Sequence, residues 1–229
     1  MYCPGDYIHR DNEEDKLFCY SLNPDLISYF RSIGIDFLFK IGEGRSADVF
    51  QVVINNEKDA ALILQSNIDN IYDFSDKLEI AAKFPDIFPI IYMYFTVDIP
   101  YSLDPDYLKN SDNFNNRIIQ VIELMDMTLD KYLITMTKIM GRDIIPIINT
   151  LEQILTNHLQ KMYDNGIYYT DVKLNNICIN SNTYGHEVSI VKFIDIEGIH
   201  LGQFRGYDPA SSIRDLVNYE IIPLIYEYL

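Results

Sequence analysis

The fold of this chain is decided by two short polar stretches, Tyr169-Thr170-Asp171-Val172-Lys173-Leu174-Asn175-Asn176 and Phe193-Ile194-Asp195-Ile196-Glu197-Gly198. The first stretch carries an acid, Asp171, then a cation two positions later, Lys173, and a carboxamide three positions after that, Asn176. The second stretch ends an apolar segment and adds a further carboxylate, Asp195. This spacing predicts that one loop and one strand end bring four polar side chains together.

These four side chains have the chemistry that phosphoryl transfer requires. Asp171 is expected to orient a hydroxyl and accept its proton, and Lys173 is expected to stabilise charge on the transferred group. Asn176 and Asp195 are expected to hold Mg²⁺, which prefers oxygen ligands. A lone D-x-K-x-x-N match also arises by chance, because Asp and Asn are common turn residues.

The segments around the two stretches favour the site over a chance match. Apolar residues at helical spacing predict a helix over residues 151–163 that leads into the loop. Residues 177–179 and 188–194 predict two strands joined by a polar turn, which would return Asp195 to the side of Asn176. The pattern therefore predicts a helix, a loop and a hairpin that meet at one site.

A glycine-bearing turn lies far upstream, in the stretch Gly42-Glu43-Gly44-Arg45-Ser46-Ala47-Asp48-Val49. Residues 37–53 around it predict a strand, the turn and a second strand. Glycines let backbone amides approach phosphate oxygens, so Gly42 and Gly44 are candidate nucleotide-binding residues, and Val49 would cover an adenine face. An ordinary hairpin with a glycine turn is the alternative interpretation.

The order of these features along the chain resembles that of the protein kinase family, over about residues 35–228. The resemblance implies an α+β, two-lobed protein kinase-like fold, with ATP and Mg²⁺ as cofactors. A small antiparallel-sheet lobe is expected over residues 35–125, and a shortened helical lobe that lacks the late helices over residues 126–229. Before them, residues 1–34 form a leader, with a helical turn near residues 26–30 that packs on the small lobe.

The resemblance also implies where adenine would bind. Ala61 matches the usual small residue of the third strand, and the backbone of Glu123 and Met125 would hydrogen-bond to the base.

Residues 98–116, rich in polar residues and proline, are predicted to be a long loop between two strands of the sheet in the small lobe.

The chain departs from the family at the strand that normally carries a phosphate-binding lysine. With Ala61 at the small position, the apolar Leu64 or a neighbour stands at the lysine position. Arg45, in the glycine turn, is the candidate replacement. Glu79 is the candidate for the glutamate that normally pairs with that lysine, and a surface pair with Lys83 is the alternative.

Further departures concern regulation and length. Tyr169-Thr170 stand where the family commonly has His-Arg, and Ile196-Glu197 replace the usual Phe-Gly, so control through an activation loop is not expected. About thirty residues follow Gly198, too few for the late helices. Such a short chain resembles the kinase effectors that some bacterial pathogens inject into host cells, and the reduced kinase-like proteins of large DNA viruses.

Composition restricts the partners. The chain has 18 basic and 34 acidic residues, a net charge of −16, which disfavours nucleic acid and anionic membranes and favours a basic protein partner. Solubility alone is the other explanation of this charge. Cys3, Cys19 and Cys178 are too few for a disulfide framework, which indicates a reducing compartment. No run has membrane-spanning length, so a cytoplasmic location is expected, in the protein's own cell or in a host.

Three functions are consistent with these residues. The first is an active minimal kinase that transfers the γ-phosphoryl of ATP to a protein hydroxyl, Ser or Thr in preference to Tyr. The second is a pseudokinase, a protein-binding module that inhibits or imitates a host kinase pathway, and the uncharged Leu64 favours it. The third, a small-molecule kinase, fits less well because such enzymes usually lack a lysine at the place of Lys173.

Overall fold

The computed structural model describes residues 24–43, 47–65, 71–98, 116–181, 188–202 and 205–229. The predicted class is confirmed at its coarser level, because the protein is α+β with an antiparallel sheet and several helices. None of the described helices is both long enough and apolar enough to cross a membrane.

The chain divides into two compact units. The first contains Met1–Ile71 and Ile90–Leu124, and the second contains Tyr72–Pro89 and Met125–Leu229. The expected lobes, residues 35–125 and 126–229, are divided differently from these units, because residues 72–89 group with the second unit. The two lobes therefore stay a prediction.

The first unit is an antiparallel sheet preceded by one helix. Its elements are α1 Pro24–Ser32, β1 Ile35–Glu43, β2 Ala47–Ile54, β3 Lys58–Gln65, β4 Ile91–Asp98 and β5 Asn116–Glu123. The five strands lie in the order β1-β2-β3-β5-β4. The two strands predicted over residues 37–53 are β1 and β2, and the predicted turn, at residues 44–46, lies outside the described residues. The sheet neighbours β4 and β5 flank the predicted loop, whose residues 99–115 lie outside the described residues.

Two tight turns fix the edge of this sheet. Asn55 and Asn56 both have positive φ, 51° and 59°, and Glu57 N–H donates to Ile54 O at 3.0 Å, as in the type I′ turns that suit twisted hairpins. Gly34 follows α1 with a φ of 81°, and a Cβ there would collide with the side chain of Asn55. Glycine is therefore required at the junction between α1 and β1.

Phe30 is the centre of the core of the first unit. Its side chain is fully buried, and its ring lies 5.1 Å from that of Phe37 and 6.2 Å from that of Phe95. Alternate residues of β2, among them Phe50 and Val52, are buried in the same cluster. The helical turn expected near residues 26–30 is thus confirmed as part of a longer helix that packs on the sheet, while residues 1–23 lie outside the described part.

The second unit is mainly helical. Its elements are α2 Ile71–Ala82, which belongs to this unit from Tyr72 onward, β6 Met127–Thr128, α3 Leu129–Met140, α4 Ile145–Asp164, β7 Ile167–Tyr169, β8 Ile177–Ser181, β9 Val188–Phe193, β10 Ile199–Leu201, α5 Pro209–Leu216 and α6 Ile222–Tyr228. Strands β6, β8 and β9 form one small antiparallel sheet, and β7 pairs with β10.

Helix α4 delivers the chain to the loop of Asp171, as the apolar pattern predicts. It begins at Ile145, earlier than expected, because Pro146 is compatible with the first turn of a helix, where its missing N–H is not needed. It ends at Asp164, and Gly166 then takes a φ of 73°. The buried stripe that holds the helix in place includes Leu151, Leu155 and Leu159.

The end of the chain is helical, with one irregularity. A π-helical segment, Val217–Ile221, joins α5 to α6. π-Helical turns are rare overall, but those that occur are frequently found at functional sites. Such a turn changes the direction of one side chain without ending the helix. Here the segment contains Glu220.

We expect Phe30→Ala to lower the free energy of unfolding by about 3–5 kcal/mol, because it removes a fully buried ring from the core of the first unit. Chemical denaturation measures the loss. The control is Ile33→Ala, at an exposed position just after α1, which should change stability by less than about 0.5 kcal/mol. Equal losses in the two variants would contradict the assignment of Phe30 to the core.

Candidate functional site

The loop between β7 and β8 brings three of the predicted polar residues together. Lys173 Nζ lies 2.7 Å from Asp171 Oδ2, and Asn176 Nδ2 donates to the same oxygen at 2.6 Å. Asn176 Nδ2 also lies 3.1 Å from the backbone carbonyl of Asp171. Asn176 is buried, whereas about 40% of the Asp171 side chain is exposed. The loop therefore holds one carboxylate between a cation and an amide while leaving it open to solvent.

The β8–β9 hairpin adds Asp195 to this group, as the sequence predicts. Ile177 pairs with Phe193, and just beyond that pair Ile194 N–H donates to the backbone carbonyl of Asn176 at 2.9 Å. The next residue, Asp195, then has Oδ2 3.4 Å from Asn176 Nδ2. The Asn176 amide thus contacts both carboxylates.

The environment of Asp195 penalises its charge. Burial raises the pKa of Asp195 above its ordinary value of 3.8, and the nearby Asp171 carboxylate raises it further. The Glu197 N–H, which donates to Asp195 Oδ1 at 2.9 Å, and the Lys173 ammonium act in the opposite direction. Two carboxylates that repel each other in a half-buried place are the arrangement that a divalent cation relieves.

Tyr169 fixes the backbone of Asp195. Its hydroxyl donates to the Asp195 carbonyl at 2.8 Å, and its fully buried ring lies 4.6 Å from that of Phe193. Burial, followed by the charges of Asp195 and Asp171, raises the pKa of Tyr169 well above its ordinary value of 10.0. The hydroxyl therefore remains a proton donor across the physiological pH range. The resemblance to protein kinases marks Tyr169 only as a departure from the family's usual His, whereas the structure gives it a positioning role.

Gly198 allows the two stretches to come into contact. A Cβ at this position would lie 2.8 Å from the Tyr169 ring, which is closer than real Cβ contacts permit, and 3.1 Å from the Cβ of Asp171, which is tighter than most of them. Its carbonyl accepts the Thr170 N–H at 3.0 Å. The turn after Asp195 thus lies directly against the residues before and at Asp171.

Glu220 holds the other end of the loop. One of its carboxylate oxygens accepts the Leu174 N–H at 3.0 Å, at the start of the short 3₁₀ turn Leu174–Asn176. The irregular π-helical segment places this carboxylate, so no helical periodicity in the sequence could have indicated the contact. Lys173 and Asn176, on either side of the anchored amide, are thereby held in position.

The candidate nucleotide residues of the first unit lie on β1, β2 and β3. Gly42 pairs with Val49, and Ala61 pairs with Gln51. A Cβ at Gly42 would make only ordinary contact with Val49, so this strand position does not require glycine. The remaining candidates, Gly44 and Arg45, lie outside the described residues.

The expected lysine position, Leu64 or a neighbour, lies on β3. Residues two apart on a strand share a face and residues three apart do not, so Leu64 is on the face opposite Ala61. Leu64 is buried in the core cluster with Phe30. Its neighbour Ile63, which pairs with Val49, is on the Ala61 face. Neither residue carries a charge. Lys58, at the start of the strand, lies 3.8 Å over the Tyr92 ring.

The expected adenine-binding segment follows β5. Glu123 N–H donates to the carbonyl of Ile90 at 2.8 Å, and Ile90 N–H donates to Glu123 Oε2 at 3.1 Å. These contacts use the Glu123 N–H and its carboxylate within the first unit. Met125, the first residue after the end of this unit, is half-buried.

Helix α2 presents a lysine to the site. Lys77 Nζ donates to the backbone carbonyl of Glu197 at 3.1 Å. Glu79 is exposed, and among the described residues no ion pair joins it to Lys83. The expected glutamate role of Glu79 stays a prediction, while the Lys77 contact is one that sequence reasoning missed.

The polar groups suit magnesium better than zinc. Within the described ranges, no cluster of three or more His, Cys, Asp or Glu side chains could hold a metal by itself. Magnesium is commonly bound by one or two carboxylates and completes its shell with water and substrate phosphates. The pair Asp171 and Asp195, with the Asn176 amide, fits that requirement.

No protein-family model matches the chain, and no curated protein matches it in sequence. The likeness to protein kinases therefore stays a prediction.

We expect Asp195→Asn to melt at a higher temperature than the unsubstituted protein at pH 7 without divalent metal. Because the folded pKa of Asp195 is raised, folding loses stability as pH rises through the interval between 3.8 and the folded pKa, and the cost is fully present above it. The neutral amide removes this cost. Melting curves from pH 4 to 7.5 should show the advantage shrinking as pH falls.

The matched control for this measurement is Asp215→Asn, an exposed position on α5. It should not reproduce the pH-dependent gain. If Asp195→Asn proves less stable at pH 7 than the unsubstituted protein, the charge of Asp195 does not carry the penalty described.

We expect Glu220→Ala to accelerate hydrogen exchange of the Leu174 amide by about tenfold or more, since a hydrogen bond to a charged acceptor is worth about 1.5–3 kcal/mol. Glu220→Gln, which keeps an acceptor oxygen, should have a smaller effect. Glu227→Ala, at an exposed position on α6, is the control and should leave that amide unchanged. Unaltered exchange in Glu220→Ala would mean that this contact does not hold the loop.

Proposed function

We propose that this protein is a minimal, atypical protein kinase that transfers the γ-phosphoryl of ATP to a Ser or Thr hydroxyl of a protein. The observation that carries the proposal is the contact of Asp171, Lys173, Asn176 and Asp195, joined by distances of 2.6, 2.7 and 3.4 Å. Phosphoryl transfer depends almost entirely on positioning and on charge stabilisation, and these are the groups that provide both.

The residues present fit a magnesium nucleotide. Asp195 and Asn176 would hold the ion, with Asp171 beside them. A bound Mg²⁺ supplies charge neutralisation to the phosphates. The raised pKa of Asp195 supports this assignment, because the repulsion behind it is relieved when a cation binds.

Asp171 and Lys173 have the roles that follow from their exposure. About 40% of each side chain is accessible, so a substrate hydroxyl can reach the Asp171 carboxylate and pass its proton there. Lys173 stays close to this carboxylate and offsets negative charge on the transferred group. Tyr169, Gly198 and Glu220 keep the backbone on both sides of these residues in place.

The proposal includes a protein kinase-like fold. It is supported by a five-stranded antiparallel sheet in the first unit and by a mainly helical second unit that carries the loop and the hairpin. Gly42, Val49 and Ala61, with the backbone of Glu123 and Met125, are proposed to contact the nucleotide. Gly44 and Arg45 are proposed for its phosphates.

The proposed partner is a basic protein. A net charge of −16 repels nucleic acid and attracts positively charged protein surfaces at low ionic strength. The proposal therefore assigns the chain a protein substrate and no nucleic acid.

A second candidate function is a pseudokinase that binds a partner protein without transferring phosphate. The observation that favours it is on β3, where the neighbours Ala61 and Ile63 on one face of the strand are both uncharged, so neither offers a cation to phosphate. Loss of a charged contact to phosphate weakens nucleotide binding by about one to two orders of magnitude, and this can leave a binding module in place of an enzyme.

We expect Mg·ATP to raise the melting temperature of the protein and label from γ-labelled ATP to appear on the protein itself or on a histone mixture. Asp195→Ala should lose both effects, because it removes a metal-binding oxygen. Asp171→Asn should keep most of the thermal shift and lose transfer by about 10²- to 10⁴-fold, the range of general-base catalysis. The exposed Asp215→Asn is the control and should behave as the unsubstituted protein.

The outcomes separate the two candidates. A thermal shift without label transfer would reject the active kinase in favour of the binding module. No shift and no transfer would reject nucleotide binding, and with it the assignment of Asn176 and Asp195.

A further inference from the structure

Lys77 occupies an unusual position on helix α2. The buried residues of this helix include Phe74, Leu78 and Ala81. Lys77 is three positions after the first and four positions before the last, so it is on the same helical face as these residues. Lysine is rarely placed on a buried helical face unless its ammonium has an acceptor.

The acceptor that the structure gives Lys77 is the turn that follows Asp195. Lys77 Nζ donates to the carbonyl of Glu197 at 3.1 Å, across 120 positions of sequence. The N–H of the same residue, Glu197, donates to Asp195 Oδ1 at 2.9 Å. One residue therefore joins the ammonium of α2 to the carboxylate proposed to hold the metal, and all three belong to the second unit.

We propose that Lys77 is a phosphate-binding residue for the nucleotide at the Asp195 site, delivered by helix α2 and not by a strand of the first unit. This inference rests on the proposed function, and it names the group that recognises the triphosphate. An ammonium has three N–H donors, so Lys77 can hold the Glu197 carbonyl and a phosphate oxygen together.

The charge balance of the site favours this assignment. Asp171 and Asp195 contribute two carboxylates, and the contacts described above place one cation, Lys173, against Asp171. A magnesium triphosphate remains anionic, so a second cation is needed near Asp195. The described residues of β3 place none beside Ala61, whereas α2 brings an ammonium to the turn next to Asp195.

A structural role makes a different prediction. If Lys77 only fastens α2 to the turn, its loss weakens every ligand equally or lowers stability alone. If Lys77 contacts phosphate, its loss weakens ligands in proportion to their phosphates. The comparison of ATP with adenosine therefore distinguishes the two roles.

We expect Lys77→Met to weaken Mg·ATP binding by about 10- to 100-fold in calorimetric titration while changing adenosine binding by less than about threefold. Lys77→Arg, which keeps the charge, should recover most of the ATP affinity. The control is Lys83→Met, an exposed lysine near the end of the same segment, which should bind ATP as the unsubstituted protein does. Circular dichroism of each variant checks that it is folded.

Failure of this inference can be told from failure of the proposed function. If the unsubstituted protein binds Mg·ATP and Lys77→Met binds it equally well, the phosphate role of Lys77 is wrong and the proposed function stands. Equal weakening of ATP and adenosine would also overturn the phosphate role. If the unsubstituted protein binds no Mg·ATP, both proposals are overturned. Should Lys77→Met not fold, Lys77→Gln and Lys77→Arg compared for the same ATP-to-adenosine ratio decide the question.

Discussion

The candidate site depends on one amide that lies between two carboxylates. Asn176 Nδ2 is 2.6 Å from Asp171 Oδ2 and 3.4 Å from Asp195 Oδ2, and it offers N–H groups to both. Two carboxylates this close repel each other, and their repulsion is strongest where burial excludes water. The amide, the Lys173 ammonium and the Glu197 N–H oppose that repulsion. The loop and the hairpin can therefore meet without a bound ion.

The remaining contacts make this meeting rigid. The Tyr169 hydroxyl holds the backbone carbonyl of Asp195. The missing Cβ of Gly198 allows the close contact with Asp171. The Glu220 carboxylate holds the Leu174 amide. None of these groups is a reacting group in the proposed chemistry. They hold the groups that react, which is the usual way that a site gains precision from its surroundings.

The sequence predicted the parts of this site that follow from local pattern. Helix α4, the β8–β9 hairpin and the return of Asp195 to Asn176 follow from apolar periodicity and from the antiparallel pairing of adjacent strands. Contacts across long sequence distances had no such signal. Lys77 and Glu197 are 120 positions apart, and Glu220 acts from a π-helical segment whose phase differs from that of an ordinary helix. Counting from Ala61 did not decide between Leu64 and a neighbour, and on β3 it is Ile63 that shares the face of Ala61.

The orientation of the Asn176 amide links the two states of the site. With its nitrogen toward both carboxylates, the side chain acts as a donor and stabilises the protein without metal. A hard cation binds oxygen and not an amide nitrogen, so Asn176 must turn its oxygen toward an ion that binds there. The turn removes N–H donors from the carboxylates at the same moment that the ion replaces them with positive charge. One side chain can thus satisfy both states of the site, which a third carboxylate in its place could not do, because it would add repulsion whenever the ion is absent.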